Sequence, residues 1–245
     1  KAKKTLKNFK KEDNFYYWFR VKKEAQIIER QRNKKESLNY ITAEFHKIDK
    51  PNKKILFDIA NFYKNSKQYE KAIKYYTKLI ESFDNNSEIK SDLLYRRGGS
   101  YERINKFEKA DKDLLKALEI KPDDAYILNY LAYSWLERNY RIKRAIEMLE
   151  IAYKAKSNDP YIIDSIGWAY YLIDDFSKAE KFLKRAVELM PDDPIVNDHY
   201  GDILWKLNRK IQARYFWANV LDMDGAEPEM IEKIHIKLIE GIQNS

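Results

Sequence analysis

The chain has 245 residues, with 47 Lys/Arg against 39 Asp/Glu and a formal net charge of +8. It contains no Cys, which excludes disulfides, thiolate zinc sites and thiol nucleophiles, and no apolar run approaches the roughly 18 residues of a membrane-spanning helix. A hydrophobic content of 44% supports a sizeable core, and only six Pro and six Gly suit a helical chain with short turns.

In chain order, Ala2, Leu6 and Phe9 come first, at the spacing of a second helix whose partner is missing. The expectation is a partial repeat over residues 1–17, in a chain that begins inside an earlier repeat. On that expectation, an export signal, a lipid anchor or further repeats would precede it. From residue 18 one spacing recurs. A small residue is followed three places later by a large one. Twelve or thirteen places after the small residue comes a second small one, with partners four and seven places further on.

The copies are Ala25/Ile28 with Ser37/Ile41/Glu44, Ala60/Tyr63 with Ala72/Tyr76/Leu79, and Gly98/Tyr101 with Ala110/Leu114/Ala117. They continue as Ala132/Trp135 with Ala145/Leu149/Ala152, Gly167/Tyr170 with Ala179/Leu183/Ala186, and Gly201/Leu204 with Ala213/Trp217/Val220. The expected repeats span 18–52, 53–90, 91–124, 125–159, 160–193 and 194–225. Spacings of three and four put residues on one helix face, and small residues let two helices approach closely. A period near 34 residues therefore predicts helix pairs that must stack to bury their stripes. The fourth copy has one extra residue in its turn, near Asn139–Lys143. Asp159-Pro160 and Asp193-Pro194 read as an N-cap followed by Pro at the first helical position. Over residues 226–245, Met230, Ile234, Leu238 and Ile242, with Ile231 and Ile239 beside them, predict an amphipathic helix capping the last repeat.

Gly167, Tyr170, Ala179, Leu183, Ala186 and Pro191, and likewise Gly98, Tyr101, Ala110, Leu114, Ala117 and Pro122, stand at the signature places of the tetratricopeptide repeat (TPR). The chain resembles that family over residues 18–225. The first repeat departs from the pattern at Ser37 and Glu44, and the sixth at Leu204 and Gly225. The resemblance implies an all-α, right-handed superhelical solenoid of antiparallel helix pairs, with the first helix of each pair lining a concave surface.

Residues beside the packing stripe of those first helices are then candidates to meet a partner. They are Tyr126, Asn129, Tyr133 and Leu136, then Tyr161, Asp164, Trp168 and Tyr171, then Ile195, Asp198, Asp202 and Trp205. Upstream they are Lys54, Phe57, Asn61 and Lys64, then Asp92, Tyr95, Gly99 and Glu102. The later half combines rings with carboxylates. Rings offer large contact area at little cost in rotamer entropy, and Asp164, Asp198 and Asp202 are expected to orient a ligand's cations or N–H groups. The partner-binding set is Tyr126, Asn129, Tyr133, Tyr161, Asp164, Trp168, Tyr171, Asp198, Asp202 and Trp205. Trp168→Ala is expected to weaken binding and to leave helicity intact. Some TPR domains clamp a chaperone's C-terminal carboxylate with Lys and Asn, then Asn, then Lys and Arg. Here Asn61 fills one place, but Gly99, Asn129 and Tyr133 break the pattern.

His46, His199 and His235 fit no close His/carboxylate ligand motif, and no phosphate-binding or nucleophile-elbow motif occurs. His199 adjoins an acidic wall beside Asp198 and Asp202 and reads as an ordinary surface or helix-packing histidine, with a metal site as the alternative. The expectation is a scaffold without catalytic residues, metal, cofactor or small-molecule substrate, binding a protein or peptide. The later repeats also resemble those of bacterial, often exported, TPR adaptors. This implies envelope assembly or protease recruitment at the periplasm or outer-membrane periphery, with any membrane association through the missing N-terminus. The alternative is polyanion binding, by nucleic acid or an anionic membrane, because residues 1–54 hold 17 Lys/Arg and only 7 Asp/Glu.

Overall fold

The fold follows from burying the small and large residues that each copy of the spacing brings to one helix face. The computed structural model describes residues 14–84 and 87–242, and every regular element among them is an α-helix. The expected helix of Ala2, Leu6 and Phe9 lies outside the described residues. No helix among the described residues is long and apolar enough to cross a membrane. The chain divides into two compact units, Lys1–Pro122 and Asp123–Ser245.

The first unit contains α1 (Asn14–Gln31), α2 (Lys34–Phe45), α3 (Lys53–Asn65), α4 (Tyr69–Glu81), α5 (Glu88–Glu102) and α6 (Phe107–Ile120). They pair as α1/α2, α3/α4 and α5/α6, and each pair packs on the next within the unit. The first pair starts ahead of the expected boundary at residue 18, because Tyr17 and Trp18 are already buried in its seam. The polar departures in this unit are satisfied. Ser37 donates to the Ala25 carbonyl at 2.8 Å, and Ser91 to that of Ala117 at 2.9 Å. Glu44 accepts from the Tyr17 hydroxyl and from Lys47 Nζ.

The second unit contains α7 (Ala125–Glu137), α8 (Ile142–Ala155), α9 (Pro160–Leu172), α10 (Phe176–Leu189), α11 (Pro194–Lys206), α12 (Lys210–Val220) and α13 (Pro228–Glu240). Asp124, Asp159 and Asp193 cap α7, α9 and α11, each accepting two backbone N–H groups at 2.9–3.3 Å. These bonds satisfy orphan donors at the helix start and place the carboxylates at the positive dipole end. At Gly167 a Cβ would lie 2.8 Å from Leu183, and at Gly201 it would collide with the Trp217 ring, so both seams need glycine for close approach. α13 packs on the last pair through Ile234, while Ile239 remains 79% exposed.

Five pairs are joined by one device. Lys67, Asn105, Asn139, Asp174 and Asn208 adopt φ between 51° and 61°. The next residue's N–H then donates to the carbonyl five places back, at 2.8–3.0 Å, as in Gln68 to Tyr63 and Tyr140 to Trp135. This is a left-handed helix stop that satisfies terminal carbonyls. The longer turn of the fourth pair adds a second left-handed residue, Arg141, at φ 47°.

Candidate functional site

The sequence-selected wall of the second unit is carried by α7, α9 and α11, and α9 touches both neighbours. The structure sorts its residues into two sets. At the starts of the three helices, Tyr126, Tyr161 and Ile195 are 51%, 58% and 45% exposed. Lys156 Nζ lies over the Tyr126 ring at 5.8 Å. Deeper along the helices, the remaining candidates are engaged by their own chain.

Asp164 is buried and meets buried His199, whose Nδ1 lies 2.9 Å from Oδ2. Burial alone would lower the histidine pKa. The charge and hydrogen bond of Asp164, with Asp198 and Asp202 behind them, override this and raise it to about 9. At neutral pH the ring is therefore an imidazolium donating to a carboxylate. It stacks on Trp168 at 4.1 Å and 11°, and Trp168 stacks on Tyr171 at 4.7 Å and 9°. A cation on an indole face is attracted by the ring quadrupole. Tyr133 lies 6.3 Å from the same imidazole; burial first, then Glu137 and Asp164, push its phenol well up. Leu136 is buried packing.

The other two acids meet the tail. Lys237 Nζ from α13 donates to Asp198 at 2.5 Å and to Asp202 at 2.7 and 2.9 Å. Trp217 Nε1 donates to the same Asp202 at 3.0 Å. Burial first, then Asp198, raises the Asp202 pKa, and Lys237 opposes the shift. The lysine pKa is raised despite burial, because Asp202 and Asp198 face it. Trp205 packs against Trp217 and Gly241, under Arg214 and Lys210. The sequence reading that Asp164, Asp198 and Asp202 are available to orient a ligand is therefore corrected: each is charge-paired inside the unit. Trp168 is likewise no free platform, since it stacks on both His199 and Tyr171, so Trp168→Ala also removes a packing element. Asn129 is the exception, because its Oδ1 is buried without a hydrogen-bond partner among the described residues.

Sequence reasoning missed Lys237. Its signal was a lysine three places after Ile234, on the α13 face that also carries Met230. Such a cation in an apolar stripe calls for buried acids nearby.

The first unit offers a different site. A cavity of about 410 Å³ is lined by Lys53, Lys54 and Phe57 of α3, Leu79 and Phe83 at the end of α4, Glu88, Ile89, Asp92 and Leu93 of α5, and Lys121. Along the same α3 and α5 faces stand Asn61, Lys64 and Arg96. Arg96 donates to Asp92 at 2.9 Å and to Asn61 Oδ1 at 3.3 Å, and its guanidinium lies over the Phe57 ring at 5.2 Å. Tyr95 and Gly99 lie on α5 between these groups and Glu102.

The family model described as "Tetratricopeptide repeat" matches residues 54–86, 91–124 and 162–193. The TPR repeat-containing protein PA4667 of Pseudomonas aeruginosa is 34% identical over 111 residues, which cover 45% of this chain and 19% of that protein. The chain thus spans about a fifth of that relative's length. A tetratricopeptide repeat protein from Parabacteroides merdae superposes with a TM-score of 0.65 at 14% identity, over 91% of this chain and 88% of that one. PilF of Pseudomonas aeruginosa does so at 0.60 and 18%, over 77% of this chain and 85% of that one. These structures share the fold. With the helix pairs and their small-residue seams, the three family matches show that the chain carries tetratricopeptide repeats at residues 54–86, 91–124 and 162–193.

Proposed function

We propose that the chain is a non-catalytic adaptor that holds an extended peptide segment of a protein partner along the α7/α9/α11 wall. The observation that carries this reading is the row of exposed apolar groups, Tyr126, Tyr161 and Ile195, at equivalent places on successive first helices. Isolated exposed apolar residues need no explanation, but a row at one repeat position offers a continuous strip for a partner to bury. Apolar burial drives the binding, and the paired acids fix the wall's shape. The resemblance of the later repeats to exported bacterial adaptors supports a role at the cell envelope, in assembly or protease recruitment.

The test is site-specific photo-crosslinking in the source cell. A photoreactive phenylalanine replaces Tyr126 or Tyr161 in one set and exposed Tyr215 of α12 in another. A discrete protein adduct from the first set alone is expected, and Tyr161→Ser should weaken the captured partner about tenfold without lowering the melting temperature. Equal adducts from Tyr215, or unchanged affinity in Tyr161→Ser, would place the contact elsewhere.

A further inference from the structure

We infer that copies of this chain associate head to tail, the outer face of α13 in one copy docking antiparallel on the outer face of α1 in a second. The contact is separate from the α7/α9/α11 strip and does not rest on what binds there.

Each of these helices has one face packed and one face open. α1 turns Tyr17, Trp18, Val21 and Ala25 inward. Its other side leaves Phe15, Tyr16 and Phe19 between 43% and 50% exposed, three rings within five residues. Cations stand over two of them: Lys54 Nζ lies over Phe15 at 4.9 Å and Lys23 Nζ over Phe19 at 5.8 Å. α13 turns Ile234 inward and ties Lys237 to Asp198 and Asp202. Its other side carries Glu229, Glu232, Ile236 and Ile239 at spacings of three, four and three, which is one stripe of a helix. Both acids are exposed, and the isoleucines are 50% and 79% exposed. A single exposed apolar residue means little, but grouped ones on one helix face mark an interaction surface.

Charge selects the occupant. Residues 1–122 hold 31 Lys/Arg against 18 Asp/Glu, and residues 123–245 hold 16 against 21. The approach to α13 is acidic as well, with Asp222 and Asp224 exposed. Pairing α13 with its own copy would set Glu229 and Glu232 near like charge, and pairing α1 with its own copy would oppose cations. Only α1 against α13 matches a basic aromatic face to an acidic aliphatic one. The order along the helices sets the direction. From its N-terminus α1 reads rings and then a cation, Phe15, Phe19 and Lys23. α13 reads acids and then apolar groups. Antiparallel alignment sets Ile239 and Ile236 on Phe15 and Phe19 and brings Glu232 to Lys23. Four residues separate Phe19 from Lys23 and Glu232 from Ile236, about 6 Å of helix on each side. Parallel alignment would set the acids on the rings. Such a contact uses different surfaces on the two copies, so each pair keeps one free face at either end and association continues past two copies.

The experiment is sedimentation velocity on the full chain over a wide range of protein concentration. The average mass should rise with concentration beyond that of two copies and fall when salt is added. Phe19→Glu and Ile239→Lys should each abolish the rise, and their thermal unfolding should match the parent because both positions are exposed. Mixed in equal amounts, the first variant still offers α13 and the second still offers α1, so the mixture should form a complex that stops at two copies. Lys23→Glu or Glu232→Lys alone should weaken association about tenfold, and the two together in one chain should restore it. Tyr161→Ser should change nothing here, which separates this contact from the partner strip. A monomer at every concentration, association that survives Phe19→Glu or Ile239→Lys, a mixture that stays monomeric, or a charge exchange without rescue would overturn the proposal.

Discussion

His199 shows how one residue can tie a wall together. It is buried, charged at neutral pH, paired with Asp164 and stacked on Trp168. Asp198, Asp202 and Tyr133 also face it. Its folded pKa of about 9 lies above the ordinary 6.5, so the folded form binds the proton more tightly. The resulting stability is complete below about pH 6.5 and is lost as pH rises through about 9. A shift of that size corresponds to about 3 kcal/mol. Urea midpoints followed by Trp fluorescence should therefore fall between about pH 6 and about pH 9.5. In His199→Gln most of that fall should disappear. An equal slope in the variant would mean that other groups carry the titration.

Among elements, the helix stops and α13 make separate demands. Asn or Asp occupies four of the five equivalent left-handed turn positions; Lys67 is the exception, at φ 57°. An ordinary side chain in that conformation costs about 1–2 kcal/mol, which Gly avoids and Asn reduces. Lys67→Gly should stabilise the first unit by about 0.5–1 kcal/mol, read as a higher urea midpoint. α13 contributes a charge as well as an apolar face. In Lys237→Ala, buried Asp202 and nearby Asp198 lose their shared cation, at a cost of about 3 kcal/mol near neutral pH. The Asp202 carboxyl, already raised by burial and Asp198, should then protonate still more readily. A raised carboxylate pKa means that the folded form gains stability as pH falls. The deficit of Lys237→Ala should accordingly shrink toward about pH 5. A deficit independent of pH would reduce Lys237 to a packing role.

At the scale of the whole molecule, the pattern that is local in sequence was legible and the pairing across repeats was not. Gly167 against Leu183 and Gly201 against Trp217 lie within one helix pair, so a fixed spacing announces them. Asp164 and His199 sit 35 residues apart, as do Asp202 and Lys237. Periodicity tells which face such a residue occupies but not whether a ligand or the next helix meets it there. The three acids were therefore read as open when they are paired, and the cavity, assembled from three helices and Lys121, had no sequence signature. The same contrast yields an assay on the intact chain. Along α7/α9/α11 the exposed groups are Tyr126, Tyr161 and Ile195, so attraction there is mainly apolar. Attraction to a lysine-rich surface would instead be Coulombic, screened within a Debye length of about 8 Å at physiological salt. Raising the salt from about 0.05 M to about 0.5 M should therefore weaken the captured partner by less than about twofold. Steep salt dependence would instead transfer the partner's binding to the lysine-rich first unit and revive polyanion recognition in place of peptide capture by rings.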